Sequence, residues 1–395
     1  MRRDTSRLIL SLSIVVAAAG LLAPPLGASR LLAQTNVPPS LNRQTIKLGK
    51  GLLARSVLFH DKSLGTVTDL IFDPKPATKQ DAAKMGVAGL GVAGLGGAVF
   101  LKADRSVASR VQFASAQRRG LDALFARPFL PTHVQFVRID KRGTWGFLNR
   151  GGEGWQDSSL MGANGKTLWS IGGDPAVDDT ASGDLDGDGV ADFVVGFNGG
   201  AGVRRVDVAG KTRWQKADGN VWHVEIVDAD GDGKPEIVHT NAKGEITIRD
   251  PNGNIIRRFQ TSVYCSDFSL CRWPTSKSAP KLLVREGGRL ALVDLLGGIA
   301  SRYPVPPGNQ FGSARAAVVR VKRDEQPYLA VLTTEGNPLF ASTTLYLFNA
   351  QREVVYQEDI AGKCGTISVV ARGEPGLDDF LVGGLNTVWK YSPAK

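Results

Sequence analysis

The sequence predicts an all-β chain: a single β-propeller of about seven four-stranded blades. Three observations lead there. Glycine is abundant, 47 in 395 residues, and falls between short apolar runs, the distribution of a chain with many tight turns. Those runs are short and often alternate apolar with polar residues, as in His223-Val-Glu-Ile-Val, the period of a half-buried strand. Third, residues 132–395 carry an internal repeat of about 45 residues with room for four strands per unit, which is the length of a propeller blade.

The repeat is clearest in two nearly superimposable segments. Asp184-Leu-Asp-Gly-Asp-Gly-Val-Ala-Asp-Phe-Val-Val and Asp228-Ala-Asp-Gly-Asp-Gly-Lys-Pro-Glu-Ile-Val-His begin 44 residues apart. The same frame, with its acids eroded, fits segments beginning at Arg138, Trp273, Arg320 and Ala371. Each unit reads as a strand into the acidic loop, a strand such as Glu236-Ile-Val-His out of it, a strand such as Glu245-Ile-Thr-Ile-Arg, a turn such as Asp250-Pro-Asn-Gly-Asn, and a last strand, Ile255-Ile-Arg-Arg-Phe. Six frames plus the strands before them suggest about seven blades.

Residues 34–131 are harder to read and are taken as a first blade with the closure of the ring. Val57–His60, Thr66–Phe72, Ala98–Lys102 and Arg110–Phe113 look like strands, Gln117–Ala126 like a short helix, and the duplicated Gly86–Ala98 segment like a glycine-rich loop. Residues 1–33 read as an export signal: Arg2, Arg3 and Arg7, then the uncharged apolar run Leu8–Ala23, then Pro24, Pro25 and the small residues Gly27, Ala28 and Ser29. The run of about 16 residues is short for a membrane span. The expectation is a secreted, periplasmic or cell-surface protein with no transmembrane span in the mature chain.

The acidic loops carry the chemistry. Calcium takes six to eight oxygens at about 2.3–2.6 Å. Acids at positions 1, 3 and 5 converge if the chain curls round an ion, glycines at 4 and 6 permit the curl, the carbonyl at 7 adds an oxygen and the acid at 9 closes the shell. The first site would comprise Asp184, Asp186, Asp188, the Val190 carbonyl and Asp192. The second would comprise Asp228, Asp230, Asp232, the Lys234 carbonyl and Glu236. Four carboxylates in one short loop repel one another without a cation, so two calcium ions per chain are expected. In the frames at Arg138 and Arg320 a cation replaces the first acid and only Asp140 or Asp324 remains, so no ion is expected there. A helix-flanked calcium loop is excluded by the β-rich runs after the acids, Phe193-Val-Val and Ile237-Val.

These loops, Phe193-Val-Val-Gly, Ile237-Val and the period resemble FG-GAP or VCBS repeats, the calcium-binding propeller blades of integrin α subunits, fungal lectins and many secreted bacterial proteins. The resemblance is specific for two blades; Gly196-Phe-Asn-Gly-Gly is the only trace of the family's Phe-Gly…Gly-Ala-Pro pattern. It implies calcium ligation at the two complete loops and a role in binding or adhesion. Ala163-Asn-Gly-Lys-Thr-Leu-Trp169 and Val208-Ala-Gly-Lys-Thr-Arg-Trp214 also look like the Gly-Lys-x-x-Trp unit of quinoprotein propellers, in which the tryptophan docks neighbouring blades. Vicinal cysteines for a quinone site are missing, and Trp169 and Trp214 are read as blade packing.

No catalytic constellation stands out. The four histidines, His60, His133, His223 and His239, lie in no metalloprotease pattern, and no nucleophile elbow or phosphate loop is present. Three cysteines, Cys265, Cys271 and Cys364, offer no Cys-x-x-Cys; Cys265 and Cys271 could pair across a turn, or all three could be buried thiols. The formal charge of +10 is scattered, without the basic run and interleaved aromatics of a nucleic-acid binder, and would suit an anionic partner. Two functions are compatible with these features, and a quinoprotein-like propeller enzyme is a more distant third. One is a monomeric binding or adhesion module for a glycan or protein ligand. The other is a calcium-dependent enzyme on acidic polysaccharide, such as a lyase with Lys or Arg as base.

Overall fold

A computed structural model of the chain describes residues 41–47, 70–72, 97–101, 107–112, 134–151, 157–273, 279–305, 313–323, 326–335, 342–361, 367–371, 376–384 and 387–394. Strands Leu41–Lys47 (β1), Leu70–Phe72 (β2), Gly97–Leu101 (β3) and Val107–Gln112 (β4) come first, and β2, β3 and β4 form a three-stranded sheet. The expected strand at Val57–His60, the helix at Gln117–Ala126, most of the Gly86–Ala98 loop and the export signal lie outside the described residues.

Six four-stranded antiparallel sheets make up the rest. Sheet A joins Val134–Arg138 (β5), Trp145–Asn149 (β6), Ser158–Gly162 (β7) and Thr167–Ile171 (β8). Sheet B joins Val177–Gly183 (β9), Asp192–Phe197 (β10), Val203–Val206 (β11) and Thr212–Lys216 (β12). Sheet C joins Val221–Val227 (β13), Glu236–Asn241 (β14), Glu245–Arg249 (β15) and Ile255–Gln260 (β16). Sheet D joins Phe268–Cys271 (β17), Lys281–Glu286 (β18), Arg289–Val293 (β19) and Ile299–Tyr303 (β20). Sheet E joins Ser313–Val319 (β21), Tyr328–Glu335 (β22), Ser342–Phe348 (β23) and Val354–Ala361 (β24). Sheet F joins Ile367–Ala371 (β25), Asp378–Gly384 (β26) and Thr387–Pro393 (β27), and takes β1 as its fourth strand in the order β1-β27-β26-β25. No helix is present among the described residues.

The core lies between successive sheets. On β10, Phe193 and Val195 pack with Val137, Leu148 and Trp169 of sheet A, while Val194 packs with Val221, Val224 and Ile237 of sheet C. A strand covered on both faces needs apolar residues at every position, which is why Phe193-Val-Val does not alternate. The expected docking tryptophans behave as such. Trp169 meets Phe193 edge-on at 5.1 Å, and the Trp214 indole N–H donates to the Pro251 carbonyl at 2.9 Å. Each ring lies over a turn glycine of the next sheet: a Cβ on Gly210 would come within 2.9 Å of Trp169, and one on Gly253 within 3.0 Å of Trp214. Phe259 repeats the contact with Gly297. The first strands of sheets B and C come equally close, since a Cβ on Gly183 would stand 2.5 Å from Ile226.

Strand direction sorts the connections. In sheets B and C the acidic loops join the first strand to the second at one end. The turns from second to third strand, and the links into the next sheet, lie at the other. Cys265 and Cys271 are free thiols, and burial pushes both up to about 12.

Candidate metal centre

The first acidic loop runs from the end of β9 to the start of β10, the second from β13 to β14. Gly187, Gly189, Gly231 and Gly233 have φ of +76°, +84°, +87° and +90°, the left-handed curl that the loop chemistry requires. Each loop then wraps its amides round its own acids. Asp184 accepts from Asp188 N (3.0 Å) and Gly189 N (2.8 Å), and Asp228 accepts from Gly231 N (2.7 Å) and Gly233 N (3.2 Å).

The structure gathers three carboxylates per loop. Asp184, Asp186 and Asp188 each bring one oxygen within 4.8 Å of the others, as do Asp228, Asp230 and Glu236. Oxygens round a single calcium ion stand at most about 4.6–5.2 Å apart, so both groups fit that ion. Asp192 and Asp232 are not drawn into the groups. Val190 and Lys234, expected to offer carbonyls, are held by their amides, which donate to Asp188 (2.8 Å) and Asp232 (2.7 Å).

The acid at position 9 has a structural task in both loops: it accepts from the amide of position 2, Leu185 N to Asp192 at 3.2 Å and Ala229 N to Glu236 at 2.7 Å. Burial pushes both carboxyls up, and at Glu236 the charges of Asp230, Asp232 and Asp228 push the same way.

Arg205 on β11 was not foreseen. Its guanidinium is bidentate on buried Asp192, at 3.1 and 2.7 Å, and also reaches Asp186 at 3.0 Å. The first loop therefore holds a resident cation at its edge. In the second, Arg272 is exposed, 3.8 Å from Asp228. In the frame at Arg138, Asp140 accepts from the amides of Arg142 and Thr144, both at 2.9 Å, and Arg138 points at the Lys141 carbonyl. In the frame at Arg320, the arginine pairs with Asp378 of β26; Asp324 lies outside the described residues. Arg138 and Arg320 thus settle on a carbonyl and on a neighbouring sheet's acid, while Lys141 of the first of these frames stands 3.5 Å from Asp188 of the first acidic loop.

A second polar cluster lies at the opposite ends of the strands. Arg150, after β6, is bidentate on Asp179 of β9 (2.9 and 2.8 Å) and bonds Glu225 of β13 (2.9 Å). His223 of β13 stands 2.7 Å from Asp179, and Asp267, before β17, pairs with Arg315 of β21 at 2.6 Å. Burial works to raise the Asp179 carboxyl, but Arg150 and then His223 outweigh it and hold the group far below the carboxylate range. His223 is raised, because Asp179 outweighs its burial. The sequence did contain a signal: Asp179, His223 and Asp267 are spaced by 44 and 44 residues, one position of three successive repeats.

No family model matches the chain, and no curated protein does. Solved structures do. The BBS1 N-terminal domain, solved in complex with ARL6DN and soaked with lead, superposes with a TM-score of 0.53 at 11% identity over 90% of this chain and 96% of that one. Virginiamycin B lyase from Staphylococcus aureus superposes with a TM-score of 0.53 at 12% identity over 89% and 99%. Both are β-propellers, and at such identities the likeness shows the fold alone. The protein is a β-propeller.

Proposed function

We propose that this protein is an exported β-propeller of seven blades, with the three-stranded sheet β2–β4 as the seventh, whose FG-GAP/VCBS-like loops bind two calcium ions and which serves as a binding module for a glycan or protein ligand. One observation carries the calcium assignment: two loops 44 residues apart each hold three carboxylate oxygens within the span of one calcium shell. Asp184, Asp186 and Asp188 would hold one ion and Asp228, Asp230 and Glu236 the other, with Asp192, Asp232 and the Val190 and Lys234 carbonyls completing the shells as the loops close. The second loop is the tighter site, since Arg205 already neutralises part of the first. Calcium supplies the positive charge that lets each loop keep one shape, and the other ends of the sheets remain for a ligand.

Thermal unfolding tests the assignment. With the modest affinity of extracellular modules, roughly 10⁻⁴–10⁻³ M, each ion adds about 1.4 kcal/mol at ten times its dissociation constant. Calcium should raise Tm by a few degrees and a chelator should reverse the rise, with Asp230→Ala removing the larger share. A Tm indifferent to both would count against calcium.

A further inference from the structure

At the ends of the strands away from the acidic loops, a cavity of about 360 Å³ opens beside sheets C, D and E, lined among others by Ser262, Tyr264, Ser266, Asp267 and Glu286. That volume lies at the small end of ligand sites, ~300–1,000 Å³. Its carboxylate is half used. Asp267 Oδ2 takes the Arg315 guanidinium at 2.6 Å, while Oδ1 is buried with no hydrogen-bond donor. The nearby His223 Nδ1, 3.8 Å away, belongs to Asp179 at 2.7 Å.

Tyr264 (52% exposed) lines the cavity, and next to it the exposed Trp222 (38%) stands edge to face with it, centroids 6.4 Å apart. Both are placed by the backbone. In the β13–β14 pairing Val221 meets Asn241 and His223 meets Thr240, so Trp222 is the extra residue of a β-bulge, which turns its side chain out of the ladder. Tyr264, on the link from β16 to β17, lies over the turn between β14 and β15. Its hydroxyl donates to the Ala242 carbonyl at 2.8 Å, and Gly244 leaves it room, since a Cβ there would come within 2.7 Å of the ring. Exposed rings fixed in this way form a platform, with little side-chain freedom left to lose on binding.

Charge narrows the ligand. Asp267 is paired with Arg315, Glu286 is bidentate with Arg302 at 2.8 and 3.1 Å, and Arg285 has a partner as well. A charged ligand would have to break one of these pairs. A neutral ligand rich in hydroxyls would not: its O–H groups can bond Ser262 and Ser266, and a C–H face can lie on an aromatic ring.

We infer that this cavity and its Trp222–Tyr264 rim form a binding site for a neutral saccharide chain. The inference rests on reading the protein as a binding module, names its ligand class, and departs from the anionic partner that the net charge suggests. Because the site lies away from the acidic loops, it needs no calcium.

The test is titration of the intact mature protein with neutral hexasaccharides (cello-, xylo-, malto-, manno- and chito-oligosaccharides), with oligogalacturonate and an oligolysine peptide alongside, monitored by tryptophan fluorescence and calorimetry. The expected result is saturable binding of at least one neutral oligosaccharide, unchanged by chelator, and weakened roughly tenfold or more by Trp222→Ala. Gly244→Ala, which displaces Tyr264 without removing a contact group, should also weaken it. Binding of none of the neutral sugars, binding of only the acidic oligosaccharide or the peptide, or neutral binding untouched by Trp222→Ala would overturn the inference. Neutral binding abolished by chelator would place the ligand at the calcium loops instead. The calcium assignment fails separately, by metal count.

Discussion

Arg205 couples the first acidic loop to the sheet that carries it. Its side chain is 9% exposed and that of Asp192 7%, so removing one leaves the other as an unpaired buried charge. Arg205→Ala should destabilise the calcium-free protein by about 3 kcal/mol. It also frees Asp192 and Asp186, so calcium should recover more stability in the variant than in the parent; melts with and without calcium decide this. Asp178, the bulge residue of β9, is a simpler case. Burial raises its carboxyl to about 6, Asn198 gives it one hydrogen bond, and its other oxygen is buried and unpaired. A carboxyl raised on folding is favourable only while protonated, so its cost appears as pH rises from about 4 through 6 and is constant above. Asp178→Asn should therefore match the parent in acid and exceed it at neutral pH by about 1 kcal/mol, less than the full shift implies because the group is partly solvated. A variant equally stable at both ends of that range would refute the assignment.

Turns and wedges show what single elements contribute. The last hairpin of sheets B, C, D and E is built alike: Asp207, Asp250, Asp294 and Asn349 each accept from amides inside the turn. The fourth position takes positive φ at Gly210, Gly253 and Gly297. Sheet E breaks the rule with Arg352 at φ +68°. A non-glycine residue there costs about 1 kcal/mol, so Arg352→Gly should raise stability by about that amount, measured by denaturant midpoint at constant slope. These turns and the Trp169 and Trp214 wedges were legible in the sequence, because turn chemistry and large aromatics are local signals. The partners of Arg205 and the Asp179–His223–Asp267 series were not. They join side chains from different strands, and only the repeat spacing hinted at the series.

At the scale of the whole molecule, β1 completes sheet F by pairing along β27 from Leu41↔Pro393 to Lys47↔Thr387, and Leu41 packs in one cluster with Phe380. The first and last described strands thus share one sheet, and β1 covers what would otherwise be an open edge of β27. The repeat made the propeller legible over residues 132–395, because each blade restates one pattern. The pairing of β1 with β27 joins the first described strand to the last, and no local pattern announces it. The acidic clusters were legible because residue spacing is itself local, whereas the departure of Asp192 and Asp232 from the clusters depends on hydrogen bonds that spacing does not encode. The central claim is that the two complete loops, and they alone, hold calcium. Calorimetric titration of the metal-stripped protein tests it most directly. Two ions per chain are predicted, with Asp230→Ala removing the tighter and Asp186→Ala the weaker; a count of zero, or of four or more, would contradict it.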